Sequence, residues 1–495
     1  MNRKQQLISG GRHWHRLLVW PALLAIIVFV TSAFMHLLLT WTGPQTAINK
    51  PPQQVFASTD VNAIPSILRE HHIARADIVK LVPSAQEPLL QITENALSPR
   101  RYFSLRTGKE IPGQDEQQAR WLANYYLNDT SRAIQSITFQ TAFDHDYPWV
   151  NRLLPVYKIV YEGDEGLTLY IHTEIQALAS ISNHWKRNVQ TIFRQLHTFA
   201  WLEDYRHGRV ILMMIFLSSL LAMILAGFSL LYLLSRHGAQ KKDRRAHRVL
   251  AHVIGVPLLG FTASGIYHLL HSEYANVSRD FNLSQPLRLE SNVSANLPLD
   301  VLSGQSLHSI SLITVGGQLF YRASVAGEAP AAAGEHDHHQ VRQQRFDGIP
   351  KEQGGIYIPL GHSADIAMRD EQVARRLVMD HIKISDSEII SAVKVTRFGP
   401  EYDFRNKRLP VWRVAINNAA RDILFVDVAS GLLVDRVNRA SRMEGYSFSF
   451  LHKWNFLTFP LGREKRDALI ALVLLGALVL AGLGVKLRTS TASRR

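Results

Sequence analysis

The chain is 495 residues long, carries a formal net charge of +14 and contains no cysteine. That length accommodates several domains, and the missing thiols exclude disulfides, thiolate-held metals and iron–sulfur centres. A basic balance of this size raises nucleic acid as a partner, but the placement of the charge excludes it.

Residues 1–16 are polar and basic. Residues 17–40 form the first of four apolar stretches long enough to cross a bilayer, which takes about 20 residues. This stretch is too long for the apolar part of a signal peptide and no small-residue cleavage site follows it, so it reads as a retained anchor. A long region, 41–209, precedes the second stretch, 210–234. A short basic link, 235–248, leads to the third, 249–271. A second long region, 272–466, precedes the fourth, 467–487, and 488–495 form a tail. The two ends and the link, together with Lys486 at the close of the fourth stretch, hold fourteen basic residues and one acid, Asp243, and so account for thirteen of the net positive charges. Positive charge marks the cytoplasmic side. Both termini and the link are therefore expected in the cytoplasm, and both long regions outside it. The partner this charge implies is the lipid bilayer, with no nucleic acid.

The two halves repeat each other. His15-Arg16-Leu17-Leu18 opens the first stretch and His247-Arg248-Val249-Leu250 the third, 232 residues on, and His36 and His268 share that offset. Asp115-Glu116-Gln117 and Asp370-Glu371-Gln372 are 255 residues apart, as are Asn151 with Leu154-Pro155-Val156 and Asn406 with Leu409-Pro410-Val411, and Leu196-His197 and Leu451-His452. The second half thus carries about 23 extra residues, and the Ala-, Gly- and His-rich stretch 326–348 is the expected site. The expected fold is an α-helical membrane protein with four spans, built as a tandem duplication of parallel repeats related by an axis along the membrane normal.

Within the long regions, helical spacing over Glu371–His381 is followed by β-branched runs at Ile389–Arg397, Val411–Ile416, Ile423–Val428 and Leu432–Val437. The same order occurs at Ala119–Tyr126, Ile134–Gln140, Val156–Tyr161 and Leu167–His172. Small α+β units are expected, each a helix on an antiparallel sheet.

The run Leu409-Pro410-Val411-Trp412-Arg413-Val414, with Leu424-Phe425-Val426-Asp427-Val428-Ala429-Ser430-Gly431, resembles the PepSY domain, most clearly over 370–440. With four spans and His-Arg-x-Leu at two inward ends, the whole chain resembles the PepSY-associated transmembrane family. The first half departs from the pattern, with His172-Thr173-Glu174 where Asp427-Val428-Ala429 stands in the second. The resemblance implies PepSY-like extracytoplasmic domains, the bacterial inner membrane, and similarity to haem-bearing ferric-siderophore reductases.

Of 22 histidines, six stand at matching repeat positions: His15 and His247, His36 and His268, His197 and His452. One interfacial histidine is ordinarily a hydrogen-bonded side chain, and a shared packing role would also preserve such pairs. The other reading is axial ligation of one or two haem b groups between facing helices, since polar groups in a bilayer are costly. His36, His197, His268 and His452 are expected near the outer face, with their pairing open, and His15 and His247 near the inner one. His252, whose counterpart is Trp20, is either a relay between levels or a packed, hydrogen-bonded histidine. Trp185, Phe193, Phe199, Trp201, Trp454 and Phe456 either anchor the interface or pack around a macrocycle.

Glu335-His336-Asp337-His338-His339 is rich in metal ligands, with His336, His338 and His339 the candidates, although such tracts are more often adventitious sites. No nicotinamide, flavin or ATP motif is present. Glycines 255, 260, 265, 476, 482 and 484 suit close helix packing. Two functions remain. One is haem-dependent electron transfer that reduces ferric iron in a siderophore or other periplasmic chelate held by the PepSY-like domains, with a quinol or a separate reductase as donor. The other is a non-enzymatic sensor, inhibitor or assembly partner of envelope proteins, in which the paired histidines are structural.

Overall fold

The computed structural model describes residues 3–234, 242–275, 286–289, 302, 304–327, 348–349, 354–360 and 368–492. The tract containing His336, His338 and His339 lies outside them. The chain forms two compact units. The first comprises Met1–Gly43, Trp185–Val277 and Ala440–Arg495, and the second Pro44–His184 and Ser278–Arg439.

In the first unit, four helices are long and apolar enough to cross a membrane: Val19–Thr42, Arg206–Leu233, Lys242–Tyr274 and Arg463–Ser490. A helix satisfies its backbone groups internally, as a lipid environment demands. An N-terminal helix, Arg3–Leu17, precedes the first span and breaks at Leu18. Pro21, which has no N–H to offer the Leu17 carbonyl, accounts for the break. The four spans share one core, drawn from Ala22, Ala25, Ile26 and Val30 of the first, Leu220 and Ile224 of the second, Ile254 and Leu258 of the third, and Leu474 and Ala477 of the fourth. Glycine sets the approach at two crossings. A Cβ on Gly255 would stand 2.8 Å from Cζ of Phe228, and one on Gly476 would stand 2.6 Å from Cδ1 of Ile254. Gly482 has nothing within 4 Å of such an atom and makes no such contact.

Two shorter helices lead into the second and fourth spans. His184–His197 runs beside the first span, with Trp185 Nε1 donating to Thr42 Oγ1 at 2.7 Å. Arg439–Ser447 continues as a π-helical turn through Phe448–His452, a local winding that often marks functional positions.

The second unit holds a seven-stranded antiparallel sheet. Its main path runs Gly355–Pro359, Gln318–Val325, Ser306–Val315, Ile78–Val82, Leu89–Thr93, Arg101–Ser104, and Gln54–Val55 pairs with Ser306–Val315. At its centre Val79, Lys80 and Leu81 pair with Leu312, Ser311 and Ile310, so a strand from each half of the sequence meets in the middle. Two four-stranded meanders accompany it: Ile134–Gln140, Val156–Tyr161, Thr168–His172, Ala177–Ser182, and Ile389–Val395, Val411–Ile416, Ile423–Asp427, Leu432–Val437. The helix Gln114–Leu127 buries Ala119, Leu122, Ala123 and Tyr126 on the first, and Asp370–Ile382 buries Val373, Ala374, Leu377 and Val378 on the second.

The meanders match strand for strand at the 255-residue offset. So do their bulges, at Ile134/Ser136 and Ile389/Ser391, and their cis peptides, Leu154–Pro155 and Leu409–Pro410. Each helix is tied by an aspartate at its start: Tyr102 donates to Asp115 at 3.0 Å and Tyr357 to Asp370 at 2.5 Å. The expected α+β units are therefore present as separate antiparallel sheets with helices packed on them.

Candidate functional site

The first unit brings four of the six paired histidines together as two facing pairs. His15, at the end of the N-terminal helix, faces His247 of the third span, with ring centroids 6.4 Å apart and planes at 71°. His197 faces His452 at 6.3 Å and 74°.

The second pair is built on the same plan on each side, a span serine against the Nδ1 of each ring. Ser32 donates to the Phe29 carbonyl at 2.9 Å, so the Nδ1–H of His197 donates to Ser32 Oγ, at 2.8 Å. Ser264 likewise donates to the Gly260 carbonyl at 2.7 Å, leaving Nδ1–H of His452 to donate toward Ser264 Oγ and the Phe261 carbonyl, both at 3.3 Å. Both rings are thereby fixed with Nε2 unprotonated, the tautomer a metal-ligating histidine needs. Burial keeps them neutral, pulling His197 down to about 4, with His36 and His268 adding to the effect. Burial also pulls His452 down to about 3, reinforced by His197 and His268.

Phenylalanines wall the pair. Phe29 meets His197 edge-on at 5.7 Å and Phe261 meets His452 edge-on at 6.0 Å. Phe193 stacks on His197 at 4.9 Å and Phe448 on His452 at 4.7 Å. Beyond these stand the remaining candidates: His36 lies 5.3 Å from Phe193, and His268 stacks on Phe448 at 4.1 Å. The outer four histidines thus form one row, His36–Phe193–His197–His452–Phe448–His268, in which only the middle two face each other. The two ends of the row differ: His36 meets Phe193 edge-on at 64°, and His268 lies parallel to Phe448 at 20°. Nδ1 of His268 meets Glu444 Oε1 at 2.5 Å, while the position 255 residues earlier is Val189.

At the first pair, the Met223 carbonyl lies beside His15 and the Leu480 carbonyl beside His247. Nδ1 of both rings is nevertheless buried with no hydrogen bond of acceptable geometry. Glycine faces each ring: a Cβ on Gly227 would lie 3.8 Å from His15 Cε1, and one on Gly484 3.5 Å from His247 Cε1. Seventeen residues separate His15 from Ser32 and His247 from Ser264, which puts the two pairs about 25 Å apart along the helices. His252 takes no part. It is exposed, and its Nδ1 bonds to the Arg248 carbonyl at 2.7 Å.

Haem fits this donor set. A porphyrin fills four positions on iron and leaves two axial ones for imidazole. Two metal–nitrogen bonds of about 2.0 Å each, together with the half-width of two five-membered rings, reproduce the spacing of both pairs. Among the described residues no group of three or more His, Asp or Glu is arranged to hold a bare metal ion.

The second unit has a buried ionic centre of its own. Glu174 accepts from Lys80 Nζ at 2.5 Å and from Arg408 Nη2 at 2.7 Å, and Arg408 Nη1 reaches Asp427 at 2.9 Å. Burial opposes the charge on Glu174, but the Arg408 and Lys80 cations overcome it and hold the carboxyl well below its usual range. Nearby His172 is kept neutral by burial, reinforced by Arg100. Glu174, which has no counterpart carboxylate at the 255-residue offset, thus bridges the two halves of the sequence.

Ser32, Ser264, Phe29, Phe261 and Phe448 play no part in the sequence reading, although each serine and phenylalanine pair recurs at one of the two offsets. Glu444 carries no such signal, having no counterpart. No protein-family model matches the chain, and no curated relative does.

Proposed function

We propose that this chain is a transmembrane electron-transfer protein of the bacterial inner membrane, a tandem duplication of the PepSY-associated type. Its two imidazole pairs would each hold one haem b. The observation that carries this reading is the equal geometry of His15–His247 and His197–His452, at 6.4 and 6.3 Å. Haem bound there supplies one-electron transfer at two levels of the bundle. The protein's part is to fix the four imidazoles, keep them neutral, and exclude water with Phe29, Phe193, Phe261 and Phe448. The distribution of Lys and Arg favours cytoplasmic termini, which places His15 and His247 at the cytoplasmic level and His197 and His452 at the periplasmic one. The PepSY-like unit would bind ferric iron as a siderophore or other chelate, whose reduction to iron(II) loosens the chelate. Electrons would come from a membrane hydroquinone or a separate reductase.

The test is a dithionite-reduced minus oxidised spectrum of membranes carrying the full chain after haem-replete expression. A b-type spectrum is expected. Absence of a Soret band contradicts the proposal and favours the non-enzymatic reading, with the histidines structural.

A further inference from the structure

The imidazole of His268 and the carboxylate of Glu444 form a dyad that the ring row does not require. His36 holds the matching place against Phe193, edge-on at 5.3 Å, with Val189 in place of a carboxylate, so keeping a histidine at the end of the row does not require Glu444. The bond from Nδ1 to Glu444 fixes the proton on that nitrogen and leaves the Nε2 lone pair free. The His268 side chain is 39% exposed, against 14% for Glu444, so the imidazole is partly accessible while the carboxylate is screened. One ring, Phe448, separates His268 from His452, with centroid steps of 4.1 and 4.7 Å. The segment that carries Glu444 and Phe448 also exposes the large apolar side chains Met443, Tyr446 and Phe450, with Lys453 Nζ 4.7 Å over the Phe448 ring.

A base beside a one-electron site and an apolar surface has the chemistry for a lipid-soluble carrier that gives up protons and electrons together. We propose that His268 and Glu444 bind and deprotonate a membrane hydroquinone. This rests on the haem reading above and names the donor. One phenolic O–H breaks toward Nε2 of His268, and Glu444 stabilises the imidazolium that results. The second proton leaves to water. The two electrons pass to the two one-electron sites, one at each imidazole pair, and the hydroquinone becomes quinone. Atoms and charge balance as one hydroquinone and two ferric centres giving one quinone, two ferrous centres and two protons.

The test uses the full chain in lipid nanodiscs with decylubiquinone and decylubiquinol as probes. Saturable decylubiquinone binding is expected to weaken at least tenfold in His268→Ala, a readout that needs no haem. Glu444→Gln is expected to retain binding and to slow reduction by decylubiquinol at least tenfold while dithionite reduction is unchanged. Unaltered binding in His268→Ala, or an unaltered decylubiquinol rate in Glu444→Gln, overturns the proposal. Failure of the haem reading instead shows as an absent spectrum with binding intact.

Discussion

His197 and His452 face each other across the bundle with ring centroids 6.3 Å apart, and each is held by a serine of the adjacent span. Sequence separations of 165 and 188 residues between serine and histidine make this a tertiary arrangement, so it can be dissected from either side.

The serines should not be equivalent. Loss of a hydrogen bond that orients a metal-ligating histidine typically costs about 10–100-fold in affinity. Ser32 is the bonded partner of His197 Nδ1, at 2.8 Å, whereas His452 has the Phe261 carbonyl as a second acceptor. Haem retention during detergent washing should fall more in Ser32→Ala than in Ser264→Ala. Equal retention in the two variants contradicts this ordering.

The ring planes cross at 74° in one pair and 71° in the other. Axial imidazoles with crossed planes give strongly anisotropic low-spin ferric spectra, and parallel planes give rhombic ones. Electron paramagnetic resonance of the oxidised full chain should show the anisotropic type at both sites.

Bundle packing can be tested apart from any cofactor. Gly255→Ala places a methyl against the Phe228 ring and Gly476→Ala places one against Ile254. Overpacking of this kind costs about 1–3 kcal/mol. Gly482→Ala meets nothing within 4 Å and should be neutral. Unfolding midpoints in mixed micelles should separate the first two from the third.

Acid should loosen the second unit. A carboxyl depressed in the fold, as Glu174 is, contributes stability that is complete above its unfolded value and lost as pH falls through its folded value. His172, held neutral below its ordinary 6.5, acts with the same sign. Below that pH the unfolded chain gains a proton that the fold refuses. Hydrogen-exchange protection factors at strands Ile78–Val82 and Thr168–His172, taken against the intrinsic rate at each pH, should therefore fall as pH drops below 6.5. At neutral pH, Glu174→Gln should cost about 3–5 kcal/mol, the usual effect of leaving a buried ion unpaired. Protection factors that are independent of pH contradict this assignment.

Much of this was legible in the chain. The spans follow from apolar length, and the strand runs at 389, 411, 423 and 432 follow from β-branching. The shared offsets singled out six histidines of 22. What could not be read was which of the outer four would meet. His36 and His197 lie in different helices, and only the insertion of Phe193 and Phe448 decides that His197 and His452 face each other. Pairing of Ile78–Val82 with Ser306–Val315 was equally hidden, because two apolar strands more than 200 residues apart carry no mark of their partner. Glu174 looked like a departure from a family pattern, and its role appears only once Arg408 is beside it.

Haem-to-protein stoichiometry in three purified full-length proteins decides whether the two pairs are haem sites: the unaltered chain, His452→Ala and His247→Ala. Two haems per chain are expected in the first. One is expected in each variant, with the complementary spectral component missing. A full complement of haem in both variants would contradict the assignment.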